Sequence, residues 1–308
     1  MKTDILIIGC GPSALSAALY TLRAGLKTTI LAGSAPGGQL LQTNDIENYA
    51  GFVNPISGFE LMDNMQKQAK RLGAEIITET ASKVDSQNKK VICQSGAEFE
   101  YLSLIIATGA SARWLNIAGE DKFKGKGVSA CATCDGFFFK GKEVCVVGGG
   151  NTAFEDALFL TNFCPKVYLV HRRDGFRADA KNIAAAKANP KIEMIIPAVV
   201  DALEGTESGL EAVVLKNPQT EEKKTIKVQG VFVAIGSVPQ TAFLKDSGVL
   251  LNEAGQVLVN ERAQTNIEGI FASGDCTNTL YRQAIVAAGT GAKAGIEAAS
   301  YANLAKGN

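Results

Sequence analysis

The chain has one histidine among 308 residues, no surplus of either charge and no C-x-x-C beyond Cys131-Ala-Thr-Cys134. Each shortage closes off a class of function. Lys plus Arg and Asp plus Glu are equal at 31 each, which argues against a whole-surface nucleic-acid binder, since that needs a positive field. No apolar run reaches the roughly 18 residues that a membrane helix requires. Met1 to Ile8 has the outline of a short signal peptide. The early acid Asp4 and the immediate Gly9-Cys10-Gly11 point instead to a buried first strand in a cytoplasmic protein. With one histidine and one cysteine pair, a zinc site is short of ligands, and no metal is expected. The seven cysteines (10, 93, 131, 134, 145, 164 and 276) are odd in number and only one pair is closely spaced, so they do not form a secreted disulfide framework. The lone pair reads as redox chemistry in a reducing compartment. Cys93, Cys145 and Cys164 read as small core or surface residues, and Cys276, beside Asp275, matches no motif position with a role.

Apolar residues make up 46% and charged residues 20%, enough for an ordinary folded core. Glycine is plentiful and clusters after apolar runs. Asp4 to Ile8 reads as a strand, Pro12 to Ala24 as a helix with Leu15, Ala18, Leu19 and Leu22 at helical spacing, and Lys27 to Leu31 as a second strand. The format returns at Glu143–Val147, Thr152–Phe163 and Lys166–Val170. Two dinucleotide-type domains of one design follow. Leu104 to Gly109, Val231 to Gly236 and Ile270 to Asp275 are further apolar strands ending in glycine or Gly-Asp. The first two fall where the chain would cross between domains, with hinges expected at Ala112 to Trp114 and Pro239 to Phe243. Gly205 to Lys227 reads as a polar hairpin without legible chemistry. Gln283 to Leu304 is Ala-rich and helical. The fold class expected is α/β, with two Rossmann-like domains, the second inserted into a split first: residues 1–113, 114–241 and 242–308.

The first loop reads Gly9-x-Gly11-x-x-Ala14, between strand and helix. Glycine allows the tight turn and the approach of backbone to pyrophosphate, and the helix N-terminus offers unpaired N–H groups. The acid expected about 20 residues on for a ribose hydroxyl is missing, because Ala32 and Gly33 stand there. The second loop reads Gly148-x-Gly150-x-x-Ala153, and beyond its second strand lie His171, Arg172, Arg173 and Arg177. Arginines accommodate a 2′-phosphate, so this loop is expected to take NADPH. Two loops need two dinucleotides, and by elimination the first takes FAD. A carboxylate at Gly274-Asp275 would suit the flavin's polyol chain.

Cys131 and Cys134 precede the NADPH loop by about one short strand. A dithiol beside two electron-carrying cofactors is the natural reading, with a non-catalytic nucleotide sensor as the bland alternative. Thiol–disulfide exchange needs a proton donor. The single histidine belongs to the arginine cluster, which leaves Asp135 as the best acid, a turn or cap aspartate being the alternative.

At these residues the chain resembles the bacterial-type, low-molecular-weight thioredoxin reductases. Cys131-Ala-Thr-Cys-Asp-Gly followed by Phe137 and Phe138 resembles their active-site motif. Gly37-Gly38-Gln39-Leu40, Glu47-Asn48-Tyr49, Gly274-Asp275 and Tyr281-Arg282-Gln283-Ala284 resemble their FAD segments. Gly148-Gly-Gly-Asn151-Thr152-Ala and His171-Arg-Arg-x-x-x-Arg177 resemble their NADPH segments. The resemblance implies electron flow from NADPH through FAD and the cysteines to thioredoxin. Cys134 would face the flavin, Cys131 would attack thioredoxin, Asp135 would be the acid, and Phe137 and Phe138 would form part of the docking surface. It also implies a homodimer and a rotation between domains. The expected FAD set is Gly9, Gly11, Pro12, Ser13, Gly38, Gln39, Leu40, Asn48, Val84, Thr108, Gly109, Gly274, Asp275, Arg282, Gln283 and Ala284. The expected NADPH set is Gly148, Gly150, Asn151, Thr152, His171, Arg172, Arg173, Arg177, Ile235 and Gly236. Similar ferredoxin–NADP reductases lack the cysteine pair. A small-molecule dithiol oxidase keeps it but passes electrons to oxygen.

Overall fold

The computed structural model describes residues 1–34, 36–42 and 45–307. The chain forms two compact units, residues 1–111 with 238–308, and residues 112–237. The crossings fall at Ser111/Ala112 and Ser237/Val238, two to four residues ahead of the boundaries read from sequence.

The first unit opens with β1 (Lys2–Ile8), α1 (Pro12–Arg23) and β2 (Thr28–Leu31). A short β3 (Asp45–Ile46) and β4 (Ile56–Ser57) lead into α2 (Gly58–Arg71) and β5 (Glu75–Ile77). The antiparallel β6 (Ala81–Asp85) and β7 (Lys90–Cys93) then join β8 (Glu98–Ile106). The sheet runs β5-β2-β1-β8-β7-β6. Its parallel heart, β2-β1-β8, is buried over Thr28–Leu31, Ile5–Ile8 and Ser103–Ile106, apolar there but for Thr28, Thr29 and Ser103, because both faces are covered. β9 (Ala110–Ala112) carries the chain out.

The second unit contains α3 (Glu120–Phe123), β10 (Val128–Ser129) and α4 (Ala132–Asp135), followed by a 3₁₀ turn at Gly136–Phe139. β11 (Val144–Val147), α5 (Asn151–Leu160) and β12 (Val167–Val170) repeat the opening unit. After α6 (Ala180–Ala188) and β13 (Ile192–Ile195), and with the later β17 (Gly230–Val233), the order β10-β17-β11-β12-β13 makes an all-parallel sheet. The stretch read as a polar hairpin is a three-stranded antiparallel sheet of β14 (Val199–Thr206), β15 (Gly209–Lys216) and β16 (Lys223–Lys227), ahead of β17 (Gly230–Val233). Its inner face, with Val213, Leu215 and Ile226, completes a core with β11 and β17.

The chain returns through β18 (Ser237–Pro239), which pairs with β9. β19 (Ile270–Ala272) then joins β8 in parallel, and α7 (Ala284–Lys306) closes the first unit. The small residues of α7 have a packing reason. A Cβ on Gly291 or Gly295 would collide with the backbone of Ser13 or Ala17, so these two glycines let α7 lie directly on α1. The helix that presents the first loop is thereby held from behind.

Candidate active site

In the first loop, the Gly9 N–H bonds the Leu31 carbonyl at 2.9 Å, which fixes the turn to the end of β2. Gly9 has φ +113, and a Cβ there would collide with the Ala107 carbonyl oxygen. Only glycine tolerates both conditions. Gly11 caps α1 in an extended conformation, makes no side-chain cap, and has open space where a Cβ would point. Pro12 fills N1, where no N–H is needed. The uncapped helix start and the bare approach form a cradle that suits a pyrophosphate.

Three distant segments converge on this loop. Gly38 begins a 3₁₀ turn and faces the Gly11 Cα, while the Gln39 amide donates to the Ala110 carbonyl. Asn48 donates to Gln283 across 3.2 Å. The Ser13 and Ser273 hydroxyls are 2.7 Å apart, and a Cβ on Gly274 would crowd Ser13 at 2.9 Å. Asp275 is therefore carried to the start of α1. Burial pushes its carboxyl up to about 6, against the opposing pull of Arg282. It has no hydrogen bond among the described residues, so it is suited to accept one from a hydroxyl-bearing ligand. Arg282 is exposed, and Ala284 is the first residue of α7.

The remaining residues of the FAD set are placed differently. Thr108 donates to the Gln240 carbonyl at 2.6 Å, and Gly109 accepts from the Gln240 N–H at 2.9 Å, so both anchor the returning chain. Leu40 packs partly against the core behind α1. Val84 is fully buried on β6 with Val91 and Phe99, and its side chain has no surface to offer a ligand. A lone apolar residue in a strand carries no sign of which way it points until its register is known, and here the register points it into the core.

The second loop repeats the device with different surroundings. Gly148 donates to the Val170 carbonyl at 3.0 Å, and a Cβ there would collide with the Ala234 carbonyl oxygen. Gly150 caps α5 without a side-chain bond and leaves the space ahead of it open. Asn151 locks to Asp179 twice, accepting from its N–H at 2.7 Å and donating to its carboxylate at 3.0 Å. The Arg177 N–H bonds the Gly149 carbonyl at 2.8 Å, and the His171 ring sits where a Gly149 Cβ would be. The turn after β12 thus folds back onto the loop. Arg172, Arg173 and Arg177 are exposed and make no ion pair among the described residues. Three uncommitted guanidinium groups beside a phosphate cradle suit a 2′-phosphate. Burial lowers the His171 pKa, opposed by its contact with the Gly175 carbonyl and reinforced by the arginines, so the ring stays neutral near pH 7. Thr152 is exposed on the first turn of α5, and Ile235 and Gly236 follow β17 with Ile235 partly exposed.

Cys131 and Cys134 are joined in a disulfide at α4. The Cys131 N–H donates to the Ser129 hydroxyl at 3.0 Å, and the Asp135 N–H donates to the Cys131 carbonyl at 3.1 Å. Burial raises the Asp135 pKa, and a hydrogen bond with the Ser129 hydroxyl opposes the rise. The net shift is upward, the direction that suits a proton donor. Ser129 thus touches both the cysteine turn and its acid. No sequence signal marks it, because a serine at a strand end looks like any turn residue. The three phenylalanines that follow separate. Phe137 and Phe138 are 55% and 43% exposed, whereas Phe139 turns inward and meets Phe232 edge-on at 5.2 Å. The five other cysteines are all buried. No group of three or more metal-ligating side chains occurs among the described residues.

Two dinucleotide cradles with a disulfide on the unit of the second define a pyridine-nucleotide oxidoreductase that acts on disulfides. The model of the pyridine nucleotide-disulphide oxidoreductase family matches residues 3–291. A thioredoxin reductase of Rickettsia conorii is 46% identical over 307 residues, covering 98% of this chain and 99% of that protein. Among solved structures, thioredoxin reductase from Giardia duodenalis matches with a TM-score of 0.93 at 39% identity, over 97% of this chain and 98% of the other. Lactococcus lactis thioredoxin reductase in its FR conformation, also 39% identical, covers 97% and 99% with a TM-score of 0.66. The chain belongs to the pyridine nucleotide-disulphide oxidoreductase family, and within it to the low-molecular-weight thioredoxin reductases. It is accordingly an NADPH-dependent flavoprotein oxidoreductase that uses FAD.

Proposed function

We propose that this chain reduces the disulfide of a thioredoxin with electrons from NADPH, passed through FAD to Cys131 and Cys134. The observation that carries this reading is the Cys131–Cys134 disulfide on the unit that also holds the arginine-flanked loop. The Gly9–Gly11 cradle would hold FAD, with Asp275 placed to accept a hydrogen bond from its polyol chain, and the bound flavin would supply two-electron exchange between pyridine nucleotide and disulfide. Arg172, Arg173 and Arg177 hold the 2′-phosphate. Cys134 exchanges electrons with the flavin side. Cys131 attacks the thioredoxin disulfide, and Asp135 holds the proton that the departing thiolate needs. Phe137 and Phe138, exposed just past the pair, form the apolar contact with the protein substrate.

The cysteines and the NADPH loop share one unit while the FAD loop lies in the other, so the two half-reactions call for two arrangements. The short crossings at 111/112 and 237/238 suit a rotation. The working form is a homodimer in the cytoplasm. No helix among the described residues is long and apolar enough to cross a membrane.

Stopped-flow spectroscopy tests the reading. NADPH should bleach the flavin faster than NADH, and adding the organism's thioredoxin should give steady disulfide-dependent turnover. Flavin bleaching followed only by peroxide formation, with thioredoxin left oxidised, would replace it with a dithiol oxidase.

A further inference from the structure

Cys131 stands at the N-cap of α4 with an extended backbone, φ −143 and ψ 98. A serine or aspartate there would accept a hydrogen bond from a backbone N–H of the first turn. The Cys131 side chain makes no such cap. Its Sγ lies instead 3.5 Å from the Thr133 hydroxyl, two residues on. The backbone of Cys131 is held on both sides, its N–H by the Ser129 hydroxyl at 3.0 Å and its carbonyl by the Asp135 N–H at 3.1 Å. A fixed turn thus presents the sulfur to Thr133. A disulfide sulfur carries no hydrogen, so the threonine O–H is the donor in this contact.

Reactive thiolates are commonly favoured by a neighbouring cation. α4 packs against the following 3₁₀ turn and against α5. The turn has no titratable side chain, α5 has Glu155 and Asp156, and α4 itself has Cys134 and Asp135. These elements bring no Lys, Arg or His to the pair, and an ionised carboxyl opposes a thiolate. A hydrogen bond to the sulfur acts the other way, because it is stronger to an ion than to a neutral acceptor.

We propose that Thr133 is a further catalytic residue of the exchange reaction, its hydroxyl donating to Cys131 Sγ and favouring the thiolate that attacks the substrate disulfide. In that attack the Cys131 thiolate forms a bond to one substrate sulfur. The substrate disulfide breaks, and its electron pair leaves on the second sulfur, which takes up a proton. Thr133 gives up no proton. It supports the charge on Cys131 before the attack and releases it as the charge passes to the substrate. Nucleophilicity falls only about half as steeply as thiol acidity rises, so the extra thiolate is a net gain below the thiol's own midpoint. The proposal rests on the reading of Cys131 as the attacking sulfur, and its test uses neither pyridine nucleotide nor thioredoxin.

The FAD-loaded protein is reduced with excess dithiothreitol, freed of it without air, and alkylated with iodoacetamide from about pH 5 to about pH 10. Peptide mass mapping reads Cys131 and Cys134 separately. Thr133→Val removes the hydroxyl at nearly constant shape. It should move the Cys131 midpoint up by about one pH unit and slow its alkylation about three- to tenfold below both midpoints. Above both midpoints the variant should react as fast as the native protein or faster, because the more basic thiolate is the better nucleophile. Thr133→Ser keeps a hydroxyl and should restore the native Cys131 profile. An unmoved Cys131 midpoint in the Val variant overturns the proposal. So does an equal shift in the Val and Ser variants, or a shift at Cys134 as large as that at Cys131, since a general disturbance of the turn produces either. Thr133 is exposed, so these changes leave the core untouched. Should the Val variant still not fold, Thr133→Ala is read by the same criteria. A pair that dithiothreitol cannot open overturns the proposed function itself, and this proposal with it.

Discussion

The Gly9–Gly11 and Gly148–Gly150 loops share a backbone and differ in what stands at the end of the next strand. Both tie a glycine N–H to a β2-type strand end, both collide with a carbonyl if given a Cβ, and both leave the helix start uncapped. Beyond β2 lie Ala32 and Gly33, with no charge. Beyond β12 lie His171, Arg172 and Arg173, with Arg177 folded back on the loop. The shared part suits a pyrophosphate, and the differing part suits a different dinucleotide in each unit. The first unit has no charge past β2 and instead brings Asp275 to the start of α1 from the far end of the chain.

The sharpest way to break this comparison is to spoil one loop at a time. Gly9→Ala should yield protein without flavin colour, because the new methyl meets backbone that cannot move aside. Gly148→Ala should keep the flavin but lose its bleaching by NADPH. Visible spectra before and after NADPH check both, and a flavin-loaded Gly9→Ala protein would show that the first loop is only a structural turn. A smaller effect is expected from the differing part. Replacing Arg172, Arg173 and Arg177 together by Ala should raise the KM for NADPH about 10- to 100-fold, one or two charge-assisted hydrogen bonds' worth, and leave the KM for NADH nearly unchanged.

Smaller again is the contrast inside the phenylalanine run. Phe137→Ala should raise the KM for thioredoxin about tenfold with little loss of stability, since the ring is largely exposed. Phe139→Ala should do the reverse, costing about 3 kcal/mol of stability through the cavity beside Phe232. Urea midpoints and steady-state kinetics separate the two. The gentlest effect concerns Asp275 in flavin-free protein. Its folded pKa of about 6 lies above the ordinary 3.8, so the native state holds that proton more tightly. The contribution is full below 3.8 and is lost as pH rises through 6. Asp275→Asn should therefore flatten the fall in urea midpoint between about pH 4 and pH 6, while weakening FAD retention.

The parts legible in the sequence were those where chemistry leaves no choice. A glycine under a carbonyl, a proline at N1 and arginines past a strand end each have a local reason, so both nucleotide units could be read from residue order. The parts that were not legible depend on register or on distant neighbours. The burial of the Val84 side chain beside Val91 and Phe99 is set by the pairing of β6 with β7, which residue order alone does not show. Phe137, Phe138 and Phe139 look alike in sequence, and only the tight 3₁₀ turn divides them between surface and core. Gly205 to Lys227 hid a third strand because its apolar positions are thinly spread among charges. Ser129 owes its role to the turn that brings Cys131 and Asp135 onto its hydroxyl, which no local pattern announces.

The central claim is that electrons from NADPH end on one particular cysteine pair. Anaerobic addition of one equivalent of NADPH, followed by alkylation and peptide mass mapping, tests it most directly. The account predicts that Cys131 and Cys134 change from disulfide to alkylated thiols while the state of Cys10, Cys93, Cys145, Cys164 and Cys276 is unchanged. A flavin that is reduced and reoxidised with the Cys131–Cys134 bond intact throughout would contradict it.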